Sequence, residues 1–146
     1  MKRARRVAIA LGIVVLAIQL VPVDRTNPPV TGAITGVPPA AADPLRRACY
    51  DCHSHETTWP WYSAVAPIAW LVAHDVHEAR EHLNFSTWAE LGPRKKTKRL
   101  DQLVEVLEDD EMPPWLYDVA HSAVRLDARE RLAILAWARS GSTTPP

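Results

Sequence analysis

Cysteine is scarce in this chain of 146 residues, which contains only Cys49 and Cys52. A structural zinc site normally has four ligands, so these two thiols cannot complete one by themselves. The sequence around them also lacks the alternation of apolar and polar residues that marks a half-buried strand. A thioredoxin-type redox pair requires a βαβ setting, and this absence therefore argues against it.

An excess of charge of either sign is also absent, because seventeen basic residues balance seventeen acidic ones. Four of the basic residues and none of the acidic ones lie in residues 1–23, so the remainder carries a net charge of −4. A domain that binds nucleic acid normally presents a basic surface. We therefore expect no nucleic-acid partner.

The two cysteines form a Cys-x-x-Cys-His motif with His53. This spacing is the attachment signature of c-type haem. Thiols three residues apart on one helical turn can each form a thioether to a vinyl group of the same porphyrin. The histidine that follows can then ligate the iron. The motif predicts one covalent haem c, with Cys49, Cys52 and His53 as cofactor-binding residues and His53 as an iron ligand.

Other uses of the two cysteines remain open at this stage. His55, His74 or His77 could add ligands to a zinc site. In an oxidising compartment the thiols could instead form a disulfide, although so small a loop would stabilise the fold little.

A single long apolar run, residues 7–23, follows a basic N-terminus. Such a pattern directs export, and about 17 apolar residues is the lower limit for crossing a bilayer. No small-x-small cleavage site follows, which favours an uncleaved signal anchor over a removed signal peptide. We expect a single-pass protein of the bacterial inner membrane, with its haem domain in the periplasm.

The rest of the chain divides into a linker, one domain and a tail. Residues 24–42 are rich in proline and predict a semi-extended linker. Residues 43–141 have the length of one small domain, and residues 142–146 are expected to be a disordered tail.

Helical patterns fill the predicted domain. Asp43 and Pro44 suit the start of a first helix, a second is expected from Ser63 to His82, and Ser86 is expected to cap a short third one. Leucines spaced by three and four residues predict a further helix, and Asp127 with Glu130 has the form of a capping box for a last one that ends at Gly141. The leucine helix is defined by Leu100, Leu103, Val104 and Leu107. We predict an all-α domain.

Met112 is the only methionine besides the start residue, and Pro113 and Pro114 follow it. A thioether is a neutral, soft ligand for haem iron and raises its reduction potential. Because two prolines exclude a continuing helix, this loop can hold Met112 rigidly against the haem. We predict Met112 as the second axial ligand.

Four other histidines are alternatives to Met112 as the distal ligand: His74, His77, His82 and His121. A lone histidine is more often a hydrogen-bonding or surface residue, so each is a weaker candidate than the methionine.

Several of these segments together resemble the bacterial haem-binding domain family related to cytochrome c. They are residues 49–55, 58–62, 73–76, 81–86 and 111–114, with 23–29 similar to the family's membrane-proximal part. The resemblance implies a cytochrome c-like helical fold with one covalent haem, Cys49, Cys52 and His53 as attachment residues, and Met112 in the distal segment.

The function expected from these observations is one-electron transfer, with redox partner proteins in the periplasm or inner membrane. The alternative is a haem-based peroxidase or a gas or redox sensor in which the distal ligand is labile. We expect an electron carrier rather than an enzyme and therefore predict no catalytic residue.

Overall fold

The computed structural model of the chain describes residues 1–121 and 124–142, and these residues form helices joined by loops, without a strand. The predicted all-α class is confirmed for this part of the chain. Two short 3₁₀ turns lie at Trp61–Ala64 and Trp88–Glu90. The α-helices are α1 Lys2–Ile18, α2 Pro39–Ala48, α3 Tyr50–His53, α4 Ile68–His82, α5 Pro93–Glu108, α6 Trp115–Ala120 and α7 Ala128–Ser142.

The core lies where α5 and α2 pack against α7. On α5 the predicted spacing holds, since Leu100, Leu103 and Leu107 are buried along one face. They meet Leu45 of α2 and Ile134 of α7, both almost fully buried. The same face of α5 also borders the candidate functional site. Packing in the core therefore fixes the position of this part of the site.

The predicted capping box at the start of α7 is present. The Asp127 carboxylate accepts a hydrogen bond from the Glu130 N–H at 2.8 Å, and the Glu130 carboxylate accepts one from the Asp127 N–H at 3.0 Å. These bonds satisfy backbone donors that a helix start leaves unpaired. The helix ends at Ser142, one residue after the predicted stop at Gly141. Residues 143–146 of the predicted tail lie outside the described residues.

The first helix of the domain begins earlier than predicted. α2 starts at Pro39, with Pro38 extended before it, whereas the sequence suggested Asp43 and Pro44. Proline suits the first position of a helix because its missing N–H would be unpaired there in any case. The buried Ala41 adds packing in this first turn, and Pro44 lies inside the helix.

The next two predicted starts also move. α4 begins at Ile68 rather than Ser63, since Val65 is extended and Ala66 precedes Pro67, a position that disfavours helical backbone. Ser86 does not cap the following turn, Trp88–Glu90. Its hydroxyl accepts a hydrogen bond from the His55 N–H at 2.8 Å instead.

Residues 24–38, which the sequence predicts as part of a linker, run along the domain. Arg80 donates to the Thr26 carbonyl at 3.0 Å and to the Asn27 side chain at 2.9 Å. Further along, the Ile34 N–H donates to the Phe85 carbonyl at 2.9 Å. The segment therefore has fixed backbone partners on the domain before α2 begins.

The N-terminal helix α1 has seventeen residues, and its apolar side chains are exposed. No helix in the described part of the chain is long and apolar enough to cross a membrane. The membrane-spanning anchor over residues 7–23 stays a prediction. Just beyond α1, the Gln19 amide exchanges two hydrogen bonds with the Ala66 backbone, at 2.9 and 3.2 Å.

Candidate functional site

A cavity of about 600 Å³ lies between α3, α4, α5 and the loop that follows α5. This volume falls within the range of about 300–1,000 Å³ that is usual for small-molecule and cofactor sites. Cys49, Cys52, His53 and Met112 all line it. The structure thus brings together the four residues that the sequence predicts as cofactor-binding, although Met112 is some sixty positions away in the chain.

The two cysteines lie where α2 gives way to α3. Cys49 occupies the junction itself, with φ −122° and ψ −30°, and its carbonyl accepts the first hydrogen bonds of α3 from Cys52 and His53 at 3.2 and 2.8 Å. Both thiols are free and partly buried. Burial raises the pKa of Cys49 to about 12 and that of Cys52 to about 11, so both are protonated at neutral pH.

The His53 ring is oriented by backbone carbonyls at the end of α4. Its Nδ1 lies 3.0 Å from the Ala79 carbonyl oxygen and 2.9 Å from that of Leu83. Carbonyl oxygens only accept, so Nδ1 carries the proton and Nε2 keeps its lone pair. Burial lowers the pKa of His53, against the two backbone bonds that raise it. A neutral imidazole with a fixed tautomer is the form that ligates metals.

The backbone around His53 is fixed as well. The Phe85 N–H donates to the His53 carbonyl at 2.8 Å. The fully buried Ser54 hydroxyl donates to the Tyr50 carbonyl at 2.7 Å and accepts from the Glu56 N–H at 2.9 Å. Residues 49–53, which we call the attachment segment, are therefore held by main-chain bonds on both sides.

Met112 belongs to residues 111–114, which we call the methionine segment. The N–H groups of Glu111 and Met112 both point to the Val106 carbonyl, at 2.9 and 3.3 Å, so the segment turns back on the end of α5. Pro113 and Pro114 also line the cavity. Proline has no N–H and a restricted φ angle, so Pro113 and Pro114 limit the conformations of this loop. The loop holds the Met112 side chain at the cavity.

The four alternative histidines differ in position. His82 lines the cavity, although it is an exposed residue. His74 lies 3.6 Å from the Glu78 carboxylate on the surface of α4, and His77 contacts the Asp24 carbonyl at 3.2 Å. His121 pairs with the Tyr62 hydroxyl at 3.0 Å. Of these four, only His82 borders the cavity.

The remaining lining comes from α2, α4, α5, α6 and the loop that follows α4. Arg99, Gln102 and Val106 were not predicted to line a site, but with Leu103 they recur at the spacing of one helix face, so a helical-face count on α5 could have found them. Arg99 donates to the Glu81 carbonyl at 2.9 Å and to the Gln102 side chain at 3.1 Å. The other lining residues are Ala48, Asp75, Glu78, Ala79, Leu83, Phe85, Leu107 and Tyr117.

These residues fit a haem group. Two free thiols, an imidazole with an unprotonated Nε2 and a thioether share one largely apolar cavity, while Arg99 supplies positive charge for a carboxylate at its border. The described residues contain no cluster of three or more histidine, cysteine, aspartate or glutamate side chains suited to a metal ion. Thiols, an imidazole and a thioether are the groups that proteins use to attach haem and to ligate its iron.

Comparison with known protein families gives one match. A family model described as a haem-binding domain matches residues 13–140. No curated protein and no solved structure matches the chain. The match spans the cavity and nearly all of the described chain.

Proposed function

The chain belongs to the haem-binding domain family, and we propose that it holds one haem c covalently and transfers single electrons. One observation carries the proposal: Cys49, Cys52, His53 and Met112 line the same cavity, and the protonated Nδ1 of His53 leaves Nε2 available. The bound haem would supply the redox chemistry, as its iron changes between the ferric and ferrous states. The protein binds it, orients it and limits access of water.

Covalent attachment is supported by the state of the two thiols. Both are free and both face the cavity. A thioether forms when a cysteine S–H adds across a vinyl group: the sulfur bonds to one carbon and the proton passes to the other, so no group leaves. Cys49 at the helix junction and Cys52 on α3 would hold two edges of the same ring.

His53 is the proposed first axial ligand. Its ring cannot turn freely, because rotation would break the bonds from Nδ1 to the Ala79 and Leu83 carbonyls. A partner on the far nitrogen also makes an imidazole a stronger donor to a metal. These two carbonyls lie at the end of α4, and that of Ala79 also accepts the Leu83 N–H at 2.9 Å.

Met112 is the proposed second axial ligand. It reaches the cavity from the methionine segment, which is separate from the attachment segment and α4. Among the alternative histidines His82 alone borders the cavity, so it is the next candidate if Met112 does not bind. Iron ligation by one histidine and one methionine would be the same as in cytochromes c.

An electron carrier requires iron that keeps two protein ligands in both oxidation states. A peroxidase or a gas or redox sensor requires an open or labile distal position. The proline-bounded loop that carries Met112 supports the carrier.

We further propose that the protein works outside the cytoplasm, in the bacterial periplasm at the inner membrane. Two features support this: the basic residues at the N-terminus, and the exposed apolar surface of α1, which follows them directly. Its redox partners would be proteins of the periplasm or inner membrane. N-terminal sequencing of protein from membrane and soluble fractions tests whether α1 is retained.

The test of the proposed function measures mass and spectrum together. The full chain is coexpressed with a c-type haem maturation system, and intact mass should show one added haem that survives denaturation. Cys49→Ala and Cys52→Ala should each reduce covalent haem, and the double variant should carry none. Trp115→Ala serves as the control, because this side chain is 71% exposed and is not among those that line the cavity.

The absorption spectrum then separates the two functions. A six-coordinate, low-spin iron in both states supports the electron carrier. A parent protein without added mass contradicts covalent attachment, and a five-coordinate iron that binds carbon monoxide freely supports the peroxidase or sensor instead.

A further inference from the structure

The short helix α6 turns two polar side chains toward the rest of the protein. Tyr117 and His121, four residues apart, are half-buried, whereas Trp115 and Val119 are 71% and 67% exposed. Residues four apart lie on the same side of a helix. Of the described side chains here, the two that face the protein, Tyr117 and His121, can form hydrogen bonds. The two that face solvent, Trp115 and Val119, are apolar.

Both inward side chains bond to the chain around the attachment segment. The Tyr117 hydroxyl donates to the Asp51 carboxylate at 3.0 Å, and the other oxygen of Asp51 accepts from the Thr58 N–H at 2.9 Å. Asp51 lies between the two cysteines. One carboxylate thus connects the attachment segment, the loop after it and α6.

The second bond joins Tyr62 and His121. His121 Nδ1 lies 3.2 Å from the Tyr117 carbonyl oxygen, which can only accept, so Nδ1 carries the proton. Nε2 therefore accepts from the Tyr62 hydroxyl at 3.0 Å. The His121 ring also lies against the Tyr117 ring, with centroids 4.3 Å apart, so the two bonds support each other.

These bonds lie at the far end of the methionine segment. Its near end is fixed by the Glu111 and Met112 N–H groups on the Val106 carbonyl of α5. Its far end leads through Pro114 directly into α6, and the Tyr117 side chain borders the same cavity as Met112. The methionine segment thus borders the cavity and is held at both ends. Backbone hydrogen bonds hold it at Glu111 and Met112, and side-chain hydrogen bonds hold the helix that follows Pro114.

We propose that Asp51, Tyr62, Tyr117 and His121 form a clasp that holds the methionine segment closed over the cavity and thereby controls access of small ligands to the sixth coordination position of the iron. The role of the clasp in controlling access to iron rests on the proposed function, because that function supplies the haem. Tyr117 and His121 are positioning residues, since they act through Met112. The ligands it would exclude are small haem ligands such as azide, imidazole and carbon monoxide.

The test compares conservative variants of the full chain. Tyr117→Phe and Tyr62→Phe each remove one hydroxyl and keep the ring. Trp70→Phe is the control, because Trp70 lies on α4, is 37% exposed and does not border the cavity. In haem-loaded protein, each clasp variant should bind azide or imidazole roughly tenfold more tightly than the parent, which corresponds to about 1.4 kcal/mol. The double variant should exceed both, and the control should match the parent.

A second measurement is independent of haem. Amide hydrogen exchange of residues 112–121 in the haem-free full chain should be faster in Tyr117→Phe and Tyr62→Phe than in Trp70→Phe. Faster exchange in a protein that carries no haem after maturation would support the clasp and contradict the proposed function. Unchanged exchange in both variants and unchanged ligand affinity in haem-loaded protein would overturn the clasp and leave haem binding intact.

Discussion

The two sides of the cavity are built in different ways. On the side of His53, which we call the proximal wall, main-chain carbonyls hold the imidazole, and Phe85 packs behind it with 1% of its surface exposed. On the side of Met112, the distal wall, the loop has main-chain bonds to Val106 at one end only. Beyond Pro114 it depends on side-chain hydrogen bonds, and Trp115 there is largely exposed.

The two walls therefore differ in how easily they open. Main-chain bonds and buried apolar packing open only when the surrounding core is disrupted. Side-chain bonds near the surface can break locally, at a cost of roughly 1 kcal/mol each. A fixed proximal ligand with a closable distal side would keep the cofactor in place while its sixth position stays under separate control.

The largest effect is expected in the proximal wall. Phe85→Ala removes a buried ring that stacks on Tyr50 and lies 6.5 Å from the His53 ring. It should lower the free energy of unfolding by about 3–5 kcal/mol, because a cavity remains where the ring was. Urea unfolding followed by circular dichroism measures the change. A loss below about 1 kcal/mol would mean that the proximal wall is less tightly packed than its burial indicates.

A smaller loss is expected at Ser54, also behind the attachment segment. Ser54→Ala leaves the Glu56 N–H without the hydroxyl that accepts its bond. Glu56 is exposed, so its N–H can bond to water instead and we expect a loss near the low end of about 1–3 kcal/mol, which the same unfolding experiment reports. Ser54→Thr, which keeps the hydroxyl, is the companion variant. If the alanine variant is as stable as the parent, the Ser54 hydroxyl does not support this wall and its main-chain bonds hold it without that help.

Met112→Ala should change stability less but ligation more. Met112 is only partly buried, so we expect a loss of about 1–2 kcal/mol, toward the low end for a methionine truncation. In haem-loaded protein the sixth position should open, the reduction potential should fall, and carbon monoxide or azide should bind. Met112→His should restore six-coordination at a lower potential than the parent. An unchanged low-spin spectrum in Met112→Ala would transfer the role of distal ligand to His82.

The smallest effect is expected on the outer face of α6. Trp115→Ala alters a side chain that is 71% exposed, and surface substitutions of this kind usually stay within about 0.5 kcal/mol. Neither the stability nor the azide affinity should change. A large loss of either would show that α6 is held by its outer face, which contradicts the comparison of the two walls.

Local patterns allowed part of this structure to be predicted from the sequence. The leucine spacing of α5 and the capping box of α7 depend on residues three and four apart, and both are present. Starts of helices near prolines were predicted less well. Whether Pro39 or Pro44 opens α2 depends on Ala41 and Leu45 being buried against the core, and no local pattern contains that contact.

What the sequence determined by itself is which donor groups stand together: the two thiols and the imidazole lie within five residues, so their spacing alone predicts haem attachment. Only the tertiary structure decided which distant groups serve it. The carbonyls of Ala79 and Leu83 fix the His53 tautomer, and Tyr117 reaches Asp51 across 66 positions. Such contacts depend on how helices pack, and packing depends on the whole core rather than on any segment of the chain.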